Sequence, residues 1–230
     1  MFSTDIIRSA VFGLGIPTLA FALEMSRIEL AQRILAAQYS VPLHRLVRAE
    51  LDEPGWLDLA RQSGEGVDAP LWVDDNAEQT FADMRATARR MHRAHGLGFV
   101  VVDHLGLIKA APNRRGSENR QLEVAANSRS LKVLAKDLGI PVLVCAQINR
   151  NPEHRTDKRP QLADLRESGA IEADADVVIL LHREDYYEKE SPRAGEVDII
   201  VAKNRNGQTG TFTAAAQLHF SRFVDMAVGM

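Results

Sequence analysis

Three short runs of consecutive apolar residues, each closed by one polar residue, constrain this chain more than any other feature. They are Leu19-Ala-Phe-Ala-Leu23 before Glu24, Phe99-Val-Val-Val102 before Asp103, and Val142-Leu-Val-Cys-Ala146 before Gln147. A strand with one wet face alternates apolar and polar residues, whereas a strand apolar throughout is buried on both faces. Longer stretches with helical spacing separate the runs, which is the pattern of a mostly parallel sheet flanked by helices, an α/β fold. Later runs at Val177–Leu181, Val197–Val201 and Gly210–Leu218 follow one another with no long helix between them. They read as antiparallel strands at the C-terminal end that extend the same sheet.

Local signals place the helices. Ser3 to Phe12 reads as a helix, with Ser3 or Thr4 as its N-cap. Ser26 followed by Glu29 is a capping box opening a helix that runs to about Tyr39. Two shorter helices fill Pro42 to Gly66, and Pro70 to Val73 is a short strand. Gln79 to His95 is a basic amphipathic helix stopped by Gly96, and Glu118 to Leu138 is a long helix closed by Gly139. A polar loop is expected at Pro112 to Gly116, and residues 149–170 are polar with weak periodicity. No linker rich in Pro, Gly or Ser interrupts the pattern, so residues 1–230 are expected to form a single domain.

Composition excludes several function classes. No run of about eighteen apolar residues is present, so no transmembrane helix is expected. The N-terminal ten residues lack the basic and apolar regions of a secretory signal. Cys145 is the one cysteine, which leaves no disulfide framework or cysteine zinc cluster and makes a reducing cytoplasm the expected location. The net charge is −3, yet Lys109 to Arg166 carries twelve Lys and Arg against six Asp and Glu. A basic middle in an acidic chain suits a face that meets a polyanion, or else a few solvated helix faces.

In an open parallel sheet the C-terminal strand ends share one edge, and ligands bind there. Glu24, Asp103 and Gln147 would then stand near one crevice. A carboxylate closing an apolar strand can hold Mg²⁺ directly or through water. A neighbouring glutamate can polarise an attacking water, and an amide can sense a γ-phosphate by hydrogen bonding. Polar residues also end strands for no functional reason, and that reading stays open for each one alone. The phosphate cradle G-x-x-x-x-G-K-[ST] of such a site does not occur in these 230 residues, and no lysine precedes Lys109.

Longer motifs surround these residues: Ala22-Leu-Glu-Met-Ser26, Val101-Val-Asp-His-Leu105, Asn119-Arg-Gln-Leu-Glu-Val124, Ala146-Gln-Ile-Asn-Arg150, Arg155-Thr-Asp-Lys-Arg-Pro160, Asp164-Leu-Arg-Glu-Ser-Gly-Ala-Ile-Glu-Ala-Asp-Ala-Asp176 and Ala202-Lys-Asn-Arg-Asn-Gly207. This series resembles the C-terminal motor domain of the DnaB-type replicative DNA helicases over essentially the whole chain. The resemblance implies a RecA-like P-loop NTPase core, a hexameric ring of identical subunits, and translocation on single-stranded DNA driven by ATP and Mg²⁺. It implies helicase loader and primase as partners. By position, Glu24 matches the family's catalytic glutamate, Asp103 its Walker B aspartate, and Gln147 the residue coupling γ-phosphate to the DNA loops. Lys203 and Arg205 match the basic pair that reaches the neighbouring subunit's nucleotide, Arg205 as the arginine finger. Arg166, Glu167 and Gly169 match the loop that grips the DNA backbone.

The family usually has Tyr where His104 stands and Gln where Gly106 stands. The plainer alternatives are a loop salt bridge for Arg166 and Glu167, a solvated hairpin tip for Lys203 and Arg205, and loop packing for Tyr186-Tyr187. His44, His104 and His182 show no metal-ligand spacing and receive no role. Without a cradle, a second reading is an ATPase-deficient relative that binds DNA or helicase subunits.

Overall fold

The structure is a computed structural model that describes residues 1–64, 68–109, 120–149 and 155–226, with the side chains of residues 166–168 outside the description. The loop expected at Pro112–Gly116 lies outside the described residues. The chain divides into two compact units, and each is treated by itself. The first takes the described parts of residues 1–115, 133–146 and 218–222, and the second those of 116–132, 147–217 and 223–230.

The first unit is built on a four-stranded sheet of order β2-β1-β3-β4, with β1 Thr18–Ala22, β2 Leu71–Asp74, β3 Phe99–Asp103 and β4 Val142–Val144. Every pairing is parallel, with Ala22 opposite Asp103 and Val102 opposite Val144. Apart from Thr18 at the start of β1 and Asp103 at the end of β3, these two strands are apolar, as suits strands covered on both faces. Ala20, Ala22, Phe99 and Val101 face one way, against Ile7 and Val11 near the chain start and Leu30 and Ile34 of helix α2, Arg27–Tyr39. The alternate residues Leu19, Phe21, Val100 and Val102 are also buried.

Helix α1 (Phe2–Arg8) continues into a π-helical turn at Ser9–Gly13. Its N-cap is Met1 rather than Ser3 or Thr4, because Asp5 N already donates to the Met1 carbonyl. Thr4 Oγ1 also donates there, at 2.6 Å, so both hydroxyl residues sit inside the first turn. Helix α2 (Arg27–Tyr39) opens with the expected capping box: Glu29 N donates to Ser26 Oγ while the Glu29 carboxylate accepts from Ser26 N. Helices α3 (Leu43–Val47) and α4 (Glu53–Gly64) follow. Helix α5 (Phe81–His95) is closed by Gly96 at φ 64°, a left-handed conformation that a residue with a Cβ adopts only at a cost. Helix α6 (Arg120–Leu138) leads through Gly139, φ 67°, into β4.

The second unit holds a short helix α7 (Gly169–Asp174) and a four-stranded sheet of order β5-β6-β7-β8. The strands are β5 Val177–His182, β6 Glu196–Asn204, β7 Gly210–Gln217 and β8 Arg222–Asp225. β6 runs antiparallel to both β5 and β7, as expected. They form a sheet of their own rather than an extension of the parallel one. Consecutive antiparallel strands find their partners locally, while pairing with a distant strand leaves no mark in the local sequence. β8 carries no such signal; four residues give too short a window for a period.

Asp198 holds this sheet to its loops. It interrupts an apolar strand, and its side chain is 3% exposed. Its carboxylate accepts from Arg193 Nη1 and Nη2 (3.0 and 2.7 Å) and from Thr213 Oγ1 (3.0 Å), and Arg159 Nη2 lies at 2.9 Å. The Arg193 hydrogen bonds, ahead of those from Thr213 and the charge of Arg159, hold the Asp198 carboxyl down at about 2.

Candidate functional site

The parallel register brings Glu24 and Asp103 to the same edge of the sheet, Glu24 two residues beyond the partner of Asp103. Asp103 ends β3 opposite Ala22, and its carbonyl accepts from Leu23 N at 2.7 Å. Glu24 follows at once, with its side chain 59% exposed beyond the sheet edge. Two acidic residues from neighbouring strands therefore stand at the C-terminal edge, Asp103 with its backbone tied into the sheet and Glu24 exposed beyond it.

Two neighbours not assigned a role from sequence shape this site. His104 is largely buried, and its Nδ1 accepts from Gly106 N at 3.2 Å. That bond leaves Nε2 as the protonated nitrogen of the neutral ring. Nε2 lies 4.0 Å from the Glu24 carboxylate, too far for a hydrogen bond but close enough to border it. Cys145 follows β4; its N donates to the Val102 carbonyl and its own carbonyl accepts from Leu105 N, both at 2.9 Å. Burial, then the Asp103 charge, push its thiol up to about 11, so at neutral pH it is a protonated donor that Asp103 accepts from. The signal for Cys145 was its place in an apolar run, just past the strand that run forms. For His104 it was adjacency to Asp103.

Mg²⁺ takes oxygen ligands and usually binds through one or two carboxylates, with waters and substrate phosphates completing the shell. Asp103 and Glu24 fit such an ion. Among the described residues no group of three or more His, Cys, Asp or Glu is placed to hold a metal, so the donor set does not make a closed metal centre.

Gln147 lies three residues beyond β4, is exposed, and belongs to the second unit. The remaining sequence-derived residues are also in that unit. A 3₁₀ helix over Leu162–Ser168 carries Arg166 and Glu167, and Gly169 begins α7. A Cβ at Gly169 would meet nothing within 4 Å, so the backbone there is open to a close approach. Asp164 anchors the segment from inside. Its carboxylate accepts from Arg155 Nη1 and Nη2 (3.2 and 2.7 Å) and from Gln161 N (2.7 Å). Its carbonyl accepts from Asn149 N at 3.1 Å.

Lys203 near the end of β6 and Arg205 just past it bond to the end of α7, while the Arg205 side chain stays 48% exposed. Lys203 Nζ donates to the Glu172 carbonyl and Arg205 Nη2 to the Ala173 carbonyl at 2.6 Å. Tyr187 is packed rather than open: its ring stacks with His182 at 6.0 Å, meets Tyr186 edge-on at 5.1 Å, and carries Lys158 Nζ over its face at 5.1 Å.

A family profile described as DnaB-like helicase C terminal domain matches residues 1–225. The replicative DNA helicase DnaB of Leifsonia xyli is 48% identical over 223 residues, covering 97% of this chain and 48% of that protein. That of Mycobacterium leprae is 46% identical over 223 residues, covering 97% of this chain and 36% of that protein. The chain thus spans half or less of the length of these relatives. Among solved structures, one ATPase domain superposes with a TM-score of 0.88 at 30% identity, covering 97% of this chain and 80% of that one. A DnaB-like replicative helicase, solved in a study of its interactions with primase, gives 0.86 at 31% identity over 93% of this chain and 51% of that one. These likenesses bear out the RecA-like α/β fold expected from sequence. Among the described residues no helix is long and apolar enough to cross a membrane.

Proposed function

Because this chain belongs to the DnaB-like helicase C-terminal domain family, we propose that it is the ATP-driven motor of a replicative DNA helicase, a single domain that moves on single-stranded DNA within a hexameric ring. The observation that carries the reading is the pair of acidic residues at adjacent strand ends, Glu24 exposed beyond Asp103, in a chain the family profile matches almost throughout. Bound with ATP, Mg²⁺ would supply positive charge to offset that developing on the phosphate oxygens, with Asp103 as the residue that would hold it, directly or through water. Glu24 orients and deprotonates the attacking water. Gln147 senses the γ-phosphate. Lys203 and Arg205 reach the nucleotide of the neighbouring subunit, where a guanidinium supplied in trans contributes about 10³–10⁵ in rate. A helicase loader and primase are the proposed protein partners, and the bacterial cytoplasm is the proposed location.

Arg166, Glu167 and Gly169 form the DNA-gripping loop. Phosphate contacts carry no base information and release counterions, so binding is indifferent to sequence and sensitive to salt. The 230-residue chain is expected to bind single-stranded DNA with a Kd on the order of 10⁻⁴–10⁻⁶ M at physiological salt, as a subunit making few contacts does. Arg166→Ala weakens binding equally for all sequences and flattens the salt dependence. Fluorescence anisotropy of labelled oligonucleotides over a salt series measures both. Parental affinity in Arg166→Ala, or affinity that ignores salt, removes the loop from the account.

A further inference from the structure

Helix α7 has six residues, well below the length at which a helix stands alone in water. Its last carbonyls have no partner inside the helix and need donors from elsewhere. Lys203 and Arg205 supply them, at the Glu172 and Ala173 carbonyls. Cations at this end also complement the negative pole of the helix dipole. Arg205 is fixed by a second contact: its Nη1 lies 3.3 Å from Asp176 Oδ1, and its backbone N donates to the Asp176 carbonyl at 2.9 Å. The other Asp176 oxygen accepts from Lys132 Nζ of α6, and Asp174 accepts from Ser128 Oγ at 2.9 Å. The Lys132 hydrogen bond, ahead of the charges of Lys132, Arg205 and Lys203, keeps the Asp176 carboxyl below its usual value.

We propose that Asp176 is a positioning residue for the loop through Arg166, Glu167 and Gly169: it holds Arg205 over the last turn of α7, and with Lys203 this clamp keeps in place the helix into which the loop runs. The inference rests on the reading of that loop as the DNA grip.

Charge and clamp predict opposite results for one substitution. Asp176→Asn removes a negative charge, which by itself tightens binding to a polyanion. The clamp predicts weaker binding of a labelled oligothymidine by the 230-residue chain, by about fivefold, with Asp176→Glu restoring it. Arg205→Lys keeps the charge but cannot reach the Ala173 carbonyl and Asp176 together, and it is expected to weaken binding similarly. Hydrogen exchange at Ala173 and Asp174 should accelerate in Asp176→Asn and Arg205→Lys while β6 stays protected, which separates the effect from general unfolding. Parental or tighter binding in both Asp176→Asn and Arg205→Lys overturns the clamp. Arg166→Ala, run alongside, separates the two ideas. If it alone weakens binding, the loop reading stands and the clamp is wrong; if it binds like the parent, the loop reading falls and takes the clamp with it.

Discussion

Glu24→Gln is expected to lower ATP turnover by about 10²–10⁴-fold, the range contributed by a positioned general base. The setting is a hybrid in which these 230 residues replace the matching half of the Leifsonia xyli helicase, with 48% identity over the exchanged part. Glutamine keeps the shape and one acceptor oxygen of the glutamate but cannot take a proton from water. The Glu24 side chain is 59% exposed, and among the described residues the ion-pair contact it makes is with His104, at 4.0 Å. The fold and nucleotide affinity are therefore expected to persist while the chemical step fails. Phosphate release measured beside ATP affinity separates the two. Parental turnover in the variant removes Glu24 from the reaction.

Asp198→Ala is expected to destabilise the chain by about 3 kcal/mol, the low end for breaking a buried charge cluster. Four donor groups converge on this carboxylate, but Arg193 and Arg159 are about a third exposed, so both rehydrate in part once it is gone. The same group sets an acid limit. Its carboxyl titrates at about 2 in the folded chain against 3.8 ordinarily, so the folded state binds the proton less tightly. Its contribution is fully present above about pH 4 and is lost as pH falls toward 2, amounting to about 2 kcal/mol. Urea unfolding at pH 7 and pH 3 tests both points. Asp198→Ala should unfold at lower urea at pH 7 and lose less on acidification than the parent. Equal midpoints at pH 7 would show that the cluster is not structural.

Much of this was legible in the residues. Continuous apolar runs ending in Glu24 and Asp103 located β1 and β3, because burial on both faces leaves no room for alternation. Ser26 with Glu29, Gly96 and Gly139 fixed helix ends, since caps are local chemistry. Long-range pairing was not legible. The bonds from Lys203 and Arg205 to α7 join residues some thirty positions apart, with no local trace, and nothing local marks the antiparallel strands as a sheet separate from the parallel one. α7 itself is held by those bonds and shows no period of its own. Asp198 left one clue, an acid inside Val197-Asp-Ile-Ile-Val201, and its meaning depended on Arg159, Arg193 and Thr213 arriving from elsewhere.

The central claim is that these residues form a working helicase motor, and unwinding by the hybrid measures it most directly. A forked duplex with a fluorophore and quencher reports strand separation. The account predicts that the hybrid assembles and separates the strands only when both ATP and Mg²⁺ are present, and that Glu24→Gln abolishes this. A hybrid that assembles and binds single-stranded DNA but neither hydrolyses ATP nor separates strands would contradict it, and would leave the chain as a DNA-binding relative without catalysis.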